Sequence, residues 1–199
     1  VGSFNKALGQ AGLAPITAAE GREYLGYGTD HFVKAAMKGA DPGLFAAIRQ
    51  AYFDYYLDHV FVKSAKYPGV DSLLAEAERL GFKVAIASNK PDAAVKRLFA
   101  LAFPQYRFAG VYGQVRGAAP KPDPALFARI LADLRLAPAE VAYFGDTEVD
   151  DLFASRAGVS QRFIVTYGFR SPAFLRAHCH PQAFLATPAA IAETISALA

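Results

Sequence analysis

The stretch Val141-Ala142-Tyr143-Phe144-Gly145-Asp146-Thr147-Glu148-Val149-Asp150-Asp151 decides the fold of this chain. Its first four residues are an apolar run without helical spacing, which is typical of a strand buried on both faces of a parallel sheet. The run ends at Gly145, and carboxylates follow at once. Because open α/β sheets bind ligands at the carboxyl ends of their strands, we predict a functional site at Asp146.

The clustered acids allow two interpretations. Thr147 and Asp150 match a capping box, and acidic residues favour the positive end of a helix. Asp146 precedes that cap, which does not need it, and carboxylates this close together repel one another unless a cation or water offsets them. We therefore predict that Asp146 and Asp150 form a Mg²⁺ site, because this ion prefers oxygen ligands.

Composition limits the class of protein. A chain of 199 residues can bury one sizeable core, or a core with a small second lobe. No apolar run approaches the roughly 20 residues of a membrane span, and a net charge of +3 without a basic run argues against nucleic acid. The single cysteine, Cys179, excludes an internal disulfide and fits a reducing compartment. We expect a cytoplasmic protein with no membrane or nucleic-acid partner.

Residues 3 to about 66 are predicted to be almost entirely helical, with a glycine-containing loop at 25–30, and residues 1–66 are predicted to form a separate lobe. Gly12 has the character of a residue that ends the first helix, and Thr17 opens the next with a capping box. Asp41 and Pro42 begin the longest helix, which we expect to end near His59. The pattern changes around residues 66–70, and we place the boundary between the lobes there.

Residues 67–199 alternate between strand and helix patterns. The predicted strands are 82–87, 108–115, the run before Gly145, 162–166 and the edge strand 183–185, and the helices include 92–102, 125–134 and 189–198. This alternation predicts right-handed crossovers and a doubly wound parallel sheet with helices on both faces. The predicted fold class is thus α/β, with an all-helical cap over residues 1–66.

Two further strand ends carry polar residues. Ser88 and Asn89 could cradle a phosphate with a hydroxyl and backbone amides at the start of a helix, or could serve as an ordinary N-cap. Lys121 lies between two prolines, which restrict its backbone. This restriction would hold the lysine charge in a fixed direction, which favours a functional role. Parallel strands bring these ends to one rim with Asp146, and the combination suits phosphoryl transfer.

The chain resembles the haloacid dehalogenase-like phosphatases nearly end to end. Ser88-Asn89-Lys90-Pro91, Lys121-Pro122-Asp123-Pro124 and Gly145-Asp146-Thr147-Glu148-Val149-Asp150 are similar to motifs two, three and four of that family. The phosphoglycolate phosphatase branch is the most similar, because of Leu25-Gly26-Tyr27-Gly28, Tyr67-Pro68-Gly69-Val70 and Val165-Thr166-Tyr167-Gly168-Phe169.

The resemblance implies roles for the residues in these motifs. Ser88 and the amide of Asn89 would hold the phosphoryl oxygens, with Lys90 also binding substrate. Lys121 would bridge the phosphate and the nucleophile, so that Ser88, Asn89 and Lys121 form the catalytic set. Asp146 would ligate Mg²⁺. The helical stretch up to about Lys66 would be a mobile cap that helps to choose the substrate.

Asp150 and Asp151 are two further acids of the stretch that follows Gly145. Asp150 would be either an acid behind the metal or the partner of Lys121. Asp151 occupies a position where an apolar residue is more usual, and the sequence offers no reason for it.

The family's first motif, Asp-x-Asp-Gly-Thr, is not present in these residues. It would supply the nucleophilic Asp, the general acid/base Asp and further Mg²⁺ contacts from the first strand of the sheet. We expect that the natural parent carries this motif upstream, that the chain as given is inactive, and that a sheet without the central strand would have a gap.

The predicted function is Mg²⁺-dependent hydrolysis of a small phosphomonoester, with 2-phosphoglycolate as substrate and an aspartyl-phosphate as intermediate. A pyrophosphatase, a sugar phosphatase or mutase, and a dehalogenase would share most of these residues, although Asp146 and Asp150 argue against the metal-free dehalogenases. A non-catalytic binding protein with this fold would also fit the motifs, and a flavodoxin-like receiver domain would also cluster acids at its strand ends. The receiver domain gives no reason for the helical lobe.

Overall fold

The computed structural model describes residues 1–62 and 64–199. Lys63 belongs to the predicted cap and lies outside the described residues. The strands are β1 (Ala85–Pro91), β2 (Gly110–Gln114), β3 (Ala142–Gly145), β4 (Gln161–Val165) and β5 (Ala183–Leu185). The helices are α1 (Gly2–Gln10), α2 (Ala18–Tyr24), α3 (Thr29–Ala36), α4 (Phe45–Asp58), α5 (Val70–Arg79), α6 (Asp92–Ala102), α7 (Ala125–Leu134), α8 (Glu148–Arg156), α9 (Pro172–His178) and α10 (Pro188–Leu198).

Most predicted elements lie where the sequence places them, because local signals mark their ends. Thr17 accepts a hydrogen bond from the Glu20 amide at the start of α2. Pro42–Leu44 forms a 3₁₀ turn before α4, and His59 is the residue at which that helix ends.

Two predictions of secondary structure were wrong. Strand β1 begins at Ala85 rather than at residue 82 and extends through Ser88 to Pro91. The prediction ended this strand at 87 because a helix start was expected, whereas the chain stays extended and shifts register against β2 between Ala87 and Pro91. Helix α9 was not predicted, although Ser171 caps it and Pro172 occupies its first turn.

All strand pairs are parallel, and the predicted α/β fold class is confirmed. The sheet is nevertheless divided into β1-β2 and β3-β4-β5. Every residue of β1 except Pro91, and every residue of β3, is only half-buried, whereas three residues of β4 are buried. In the described residues the predicted parallel sheet therefore has a gap, as expected of a sheet without its central strand, and β1 and β3 are the strands on either side, with the smallest share of buried residues.

Buried apolar residues form separate clusters in the two lobes. One cluster contains side chains of the cap only, including Leu8, Val33 and Ile48. The largest of the others packs Phe163 and Val165 of β4 against α5 and α10. The division near Lys66 stays a prediction. Within the ranges described above, no helix is long and apolar enough to cross a membrane.

The position that the sequence left unexplained, Asp151, is a buried structural acid. Its Oδ1 accepts a hydrogen bond from Arg162 Nε at 3.1 Å, and its Oδ2 accepts one from the His180 amide at 2.7 Å. The same guanidinium donates to the carbonyls of Val159 and His180. Asp151 therefore fastens α8 to β4 and to the loop before β5.

Replacing Asp151 by alanine is expected to lower the free energy of unfolding by about 3 kcal/mol, because Arg162 and the His180 amide would lose a buried acceptor. Urea denaturation measures this change. Asp58→Ala, which removes the exposed partner of Arg97, is the matched control and should change stability by less than about 1 kcal/mol. Equal losses in the two variants would contradict the structural role of Asp151.

Candidate functional site

A cleft between the cap and the core gathers the polar residues predicted from the sequence. It has a volume of about 230 Å³ and lies at the carboxyl ends of β1 and β3. Its core side contains Ser88, Asn89, Lys90, Lys121, Asp146 and Asp150, and its cap side contains Phe4, Tyr24, Gly26, Phe32 and Tyr52. The structure thus brings all six predicted site residues into one cavity.

Lys121 is buried, and its ammonium group makes three hydrogen bonds. Its Nζ donates to Asp150 Oδ1 at 2.7 Å, to the Ala87 carbonyl at 3.0 Å and to the Tyr143 hydroxyl at 3.3 Å. An ammonium has three protons to donate, and each has an acceptor here. Since Ala87 belongs to β1 and Tyr143 to β3, Lys121 joins the two halves of the divided sheet.

Asp150 is the ion-pair partner of Lys121 and also caps α8. Its Oδ2 accepts hydrogen bonds from the Thr147 hydroxyl at 2.6 Å and from two backbone amides, while its Oδ1 accepts from Tyr143 at 2.9 Å. Burial by itself would raise the pKa of Asp150, but the Lys121 charge and these donors hold it below the usual value. A side chain at Gly145 would collide with Asp150, which explains the glycine at the end of β3.

Asp146 differs from Asp150 because its carboxylate has no cation beside it among the described residues. Burial, assisted by the nearby charge of Asp150, raises the pKa of Asp146 to about 6, although Lys121 opposes this. No group of three or more His, Cys, Asp or Glu side chains with metal-binding geometry occurs in the described part of the chain.

One of the two acids predicted to bind Mg²⁺, Asp146, fits this ion. This ion is commonly held by one or two carboxylates, with waters and a substrate phosphate completing its shell. Asp146 is the carboxylate available for this purpose, whereas Asp150 is occupied by Lys121 and its other donors. A cation at Asp146 would also offset the charge that burial disfavours.

The raised pKa of Asp146 gives a prediction for stability without metal. The unfolded carboxyl ionises near pH 3.8, whereas the folded one ionises near 6. The folded state therefore binds more protons between these values, so stability should fall as pH rises through this window, by up to about 3 kcal/mol.

Asp146→Asn isolates this effect, because the variant cannot ionise at that position. Denaturant unfolding of both proteins in EDTA should show the variant gaining stability relative to wild type between pH 4 and pH 7. A constant difference across this range would contradict the burial of a charged Asp146.

Ser88 and Asn89 are placed differently from each other. The Ser88 oxygen accepts a hydrogen bond from the Lys90 amide at 3.1 Å, so its own proton remains available to a ligand. The Asn89 side chain accepts from the Lys121 amide and donates to the Lys121 and Gly26 carbonyls. Asn89 therefore fixes the backbone of Lys121 and links it to Gly26, in the loop between α2 and α3.

A second contact between the lobes was not predicted. The Tyr27 hydroxyl of the cap donates to Glu148 Oε1 at 2.7 Å, and Arg170 binds both oxygens of the same carboxylate at 2.8 and 3.1 Å. Glu148 and Arg170 are mostly buried. This group of three residues, the cap latch, holds residues 25–28 against the core beside Asp146.

Removing the Tyr27 hydroxyl is expected to loosen this latch. Tyr27→Phe should lower stability by about 1 kcal/mol, because the lost hydrogen bond has a charged acceptor but is partly exposed. Thermal unfolding measures the change. Tyr67→Phe serves as the control, since within residues 1–62 and 64–199 the Tyr67 hydroxyl makes no hydrogen bond, and equal shifts in the two variants would contradict the latch.

Sequence reasoning missed two groups at this site. Tyr143 was assigned to the apolar strand, and only its hydroxyl contact with Asp150 shows its second role. Arg170 follows a predicted turn, and its partner lies 22 residues earlier in the chain. Tyr143 could have been identified from the sequence, because it places a hydroxyl in an otherwise apolar strand next to Asp146. No local feature of the sequence marked Arg170.

The sequence of this chain is similar to those of known proteins. The family model described as haloacid dehalogenase-like hydrolase matches residues 3–158. A phosphoglycolate phosphatase from Psychrobacter arcticus is 28% identical over 175 residues, which cover 84% of this chain and 76% of the relative.

Solved structures show the same fold. A haloacid dehalogenase-like family hydrolase from Streptococcus pneumoniae matches 100% of this chain and 89% of its own, with a TM-score of 0.83 and 20% identity. CbbY from Rhodobacter sphaeroides, solved in complex with xylulose-(1,5)bisphosphate, matches 94% of this chain and 86% of its own, with a TM-score of 0.78 and 20% identity. At these identities the similarity concerns the fold alone.

Proposed function

This chain belongs to the haloacid dehalogenase-like hydrolase family, and on that basis we propose that it is a Mg²⁺-dependent phosphatase acting on a small phosphomonoester, 2-phosphoglycolate. The observation that carries the proposal is the single cleft that contains Ser88, Lys121 and Asp146. The relatives named phosphoglycolate phosphatases support the choice of substrate. A cytoplasmic location is also proposed, and it depends on the lone buried Cys179.

In this proposal the cleft residues bind and position the phosphate. The Ser88 hydroxyl and the Asn89 backbone amide would donate to phosphoryl oxygens, and Lys121 would bring a positive charge that Asp150 holds in place. Asp146 would hold Mg²⁺, which when bound would neutralise phosphate charge. Such preorganised charges are the main source of catalysis in phosphoryl transfer.

The attacking group is the remaining requirement. We propose that an Asp of the first motif forms the aspartyl-phosphate, and that the strand carrying this motif pairs with β1 and β3. The half-buried surfaces of these two strands and the division of the sheet between them support that position. Adding the strand should then protect amides of β1 and β3 from hydrogen exchange.

Phosphate release from 2-phosphoglycolate tests the function directly. The assay compares the 199-residue chain with one extended upstream by the first motif, each with Mg²⁺ and with EDTA. We expect release by the extended chain with Mg²⁺ only, and a lower kcat/KM for pyrophosphate and for a sugar phosphate. Higher activity with either of these would favour a pyrophosphatase or a sugar phosphatase instead, and phosphate binding without release would favour a non-catalytic binding protein.

A further inference from the structure

Lys90 lies in the cleft but is not part of the Lys121 and Asp146 cluster. Its Nζ donates to the Tyr56 hydroxyl at 2.7 Å and lies 5.0 Å from the centre of the same ring. Tyr56 belongs to α4 of the cap, whereas Lys90 belongs to β1 of the core. The ammonium is therefore held at the boundary between the lobes, and Lys90 is one of the residues that line the cavity that would receive the substrate.

The surroundings of this ammonium are unusual among the described lysines. It is half-buried, and no carboxylate in the described residues forms an ion pair with it. The other described lysines without an ion pair, Lys6, Lys34 and Lys83, are exposed to water. Since a partly buried charge without an opposite charge is unfavourable, an anion entering the cleft would be attracted to Lys90.

The cap side of the cleft next to Lys90 is aromatic. Phe4 stacks between Phe32 and Tyr52 with ring centres 3.8 and 3.9 Å apart, and Tyr52 stacks on Tyr56 at 5.1 Å. Such a surface offers few hydrogen bonds to the hydroxyls of a sugar, which would be left without partners. It also excludes water, and a charge pair is stronger where water is excluded.

On these observations, and resting on the proposed phosphatase function, we infer that Lys90 binds a carboxylate on the leaving group of the substrate. The phosphate would occupy the end of the cleft at Ser88 and Asp146, and the carboxylate would occupy the end at Lys90. Together with the aromatic cap side, such a contact selects phosphorylated acids over phosphorylated alcohols and sugars.

Paired ligands of equal shape test this selection. Isothermal titration calorimetry of the 199-residue chain with Mg²⁺ would compare 2-phosphoglycolate with 2-phosphoglycolamide, in which a neutral amide replaces the carboxylate. Wild type should bind the acid about 10- to 100-fold more tightly, as expected for a hydrogen bond to a charged group. Lys90→Gln should remove this preference by weakening the acid alone, whereas Lys90→Arg should keep it. Lys83→Gln, an exposed lysine of equal charge, should behave as wild type.

Other results would overturn the inference. Equal weakening of acid and amide in Lys90→Gln would mean that Lys90 supports the fold or the phosphate, and a wild type that binds both equally, or neither, would show no carboxylate site. The phosphate-release assay reports separately on the proposed function. Turnover without an acid preference would leave the phosphatase proposal standing, and a Lys90-dependent preference without turnover would leave the carboxylate site standing.

Discussion

Lys121→Met should destabilise the protein by about 3–5 kcal/mol, the loss expected when one member of a buried ion pair is removed. Lys121 and Asp150 are 7% and 5% exposed, and their charged atoms are 2.7 Å apart. Without the ammonium, Asp150 would keep its charge only through hydrogen bonds, and the contacts that join β1 to β3 would be lost. Urea denaturation at neutral pH measures the change.

Two further variants show whether the buried pair is responsible. Lys96→Met removes a partly exposed ion pair with Asp92 within one helix, and should change stability by less than about 1 kcal/mol. The double variant Lys121→Met, Asp150→Asn removes both charges of the pair and should recover part of the loss. A double variant less stable than Lys121→Met would contradict this account.

Lys121→Met should also lower the rate of the proposed reaction. In a chain that carries the first motif, Lys121→Met is expected to lower kcat by about 10²–10³-fold, as for the loss of one preorganised charge in an active site. The assay temperature must lie well below the melting temperature of the variant. A folded variant with near-normal kcat would remove Lys121 from the proposed mechanism.

Asp146→Asn should abolish the effects of Mg²⁺ on this protein. In the extended chain, we expect phosphate release to fall by about 10³-fold or more, because metal binding contributes several kcal/mol to such reactions. In the 199-residue chain, Mg²⁺ should raise the melting temperature of wild type but not of the variant, because only wild type binds the ion.

The variant's own stability distinguishes this loss from misfolding. Because the pKa of Asp146 is raised to about 6, its charge is unfavourable at pH 7, and the asparagine variant should be as stable as wild type or more stable when EDTA is present. Glu140→Gln, which changes an acid in a 3₁₀ turn before β3, is the matched control and should keep the response to Mg²⁺. An unchanged response in Asp146→Asn would exclude Asp146 as the ligand.

Much of this protein follows from local sequence. The apolar run before Gly145, the capping box of Thr147 and the alternation of strands and helices determined the parallel α/β core and the position of the candidate site. These signals act within a few residues of one another, because hydrogen bonds and side-chain periodicity in helices and strands are local. The motifs around Ser88, Lys121 and Asp146 then pointed to one rim, since parallel strands end on the same side.

The tertiary structure alone decided which charges are paired. Asp151 is explained by Arg162 and by an amide 29 residues away, and the cap latch joins Tyr27 to a carboxylate 121 positions later in the chain. The sequence left open whether Asp150 pairs with Lys121, and it could not show that Lys90, among the described residues, has no carboxylate, because both depend on contacts between distant segments. Ion pairs and burial arise only when the chain packs, and they set the electrostatics from which the site's chemistry follows.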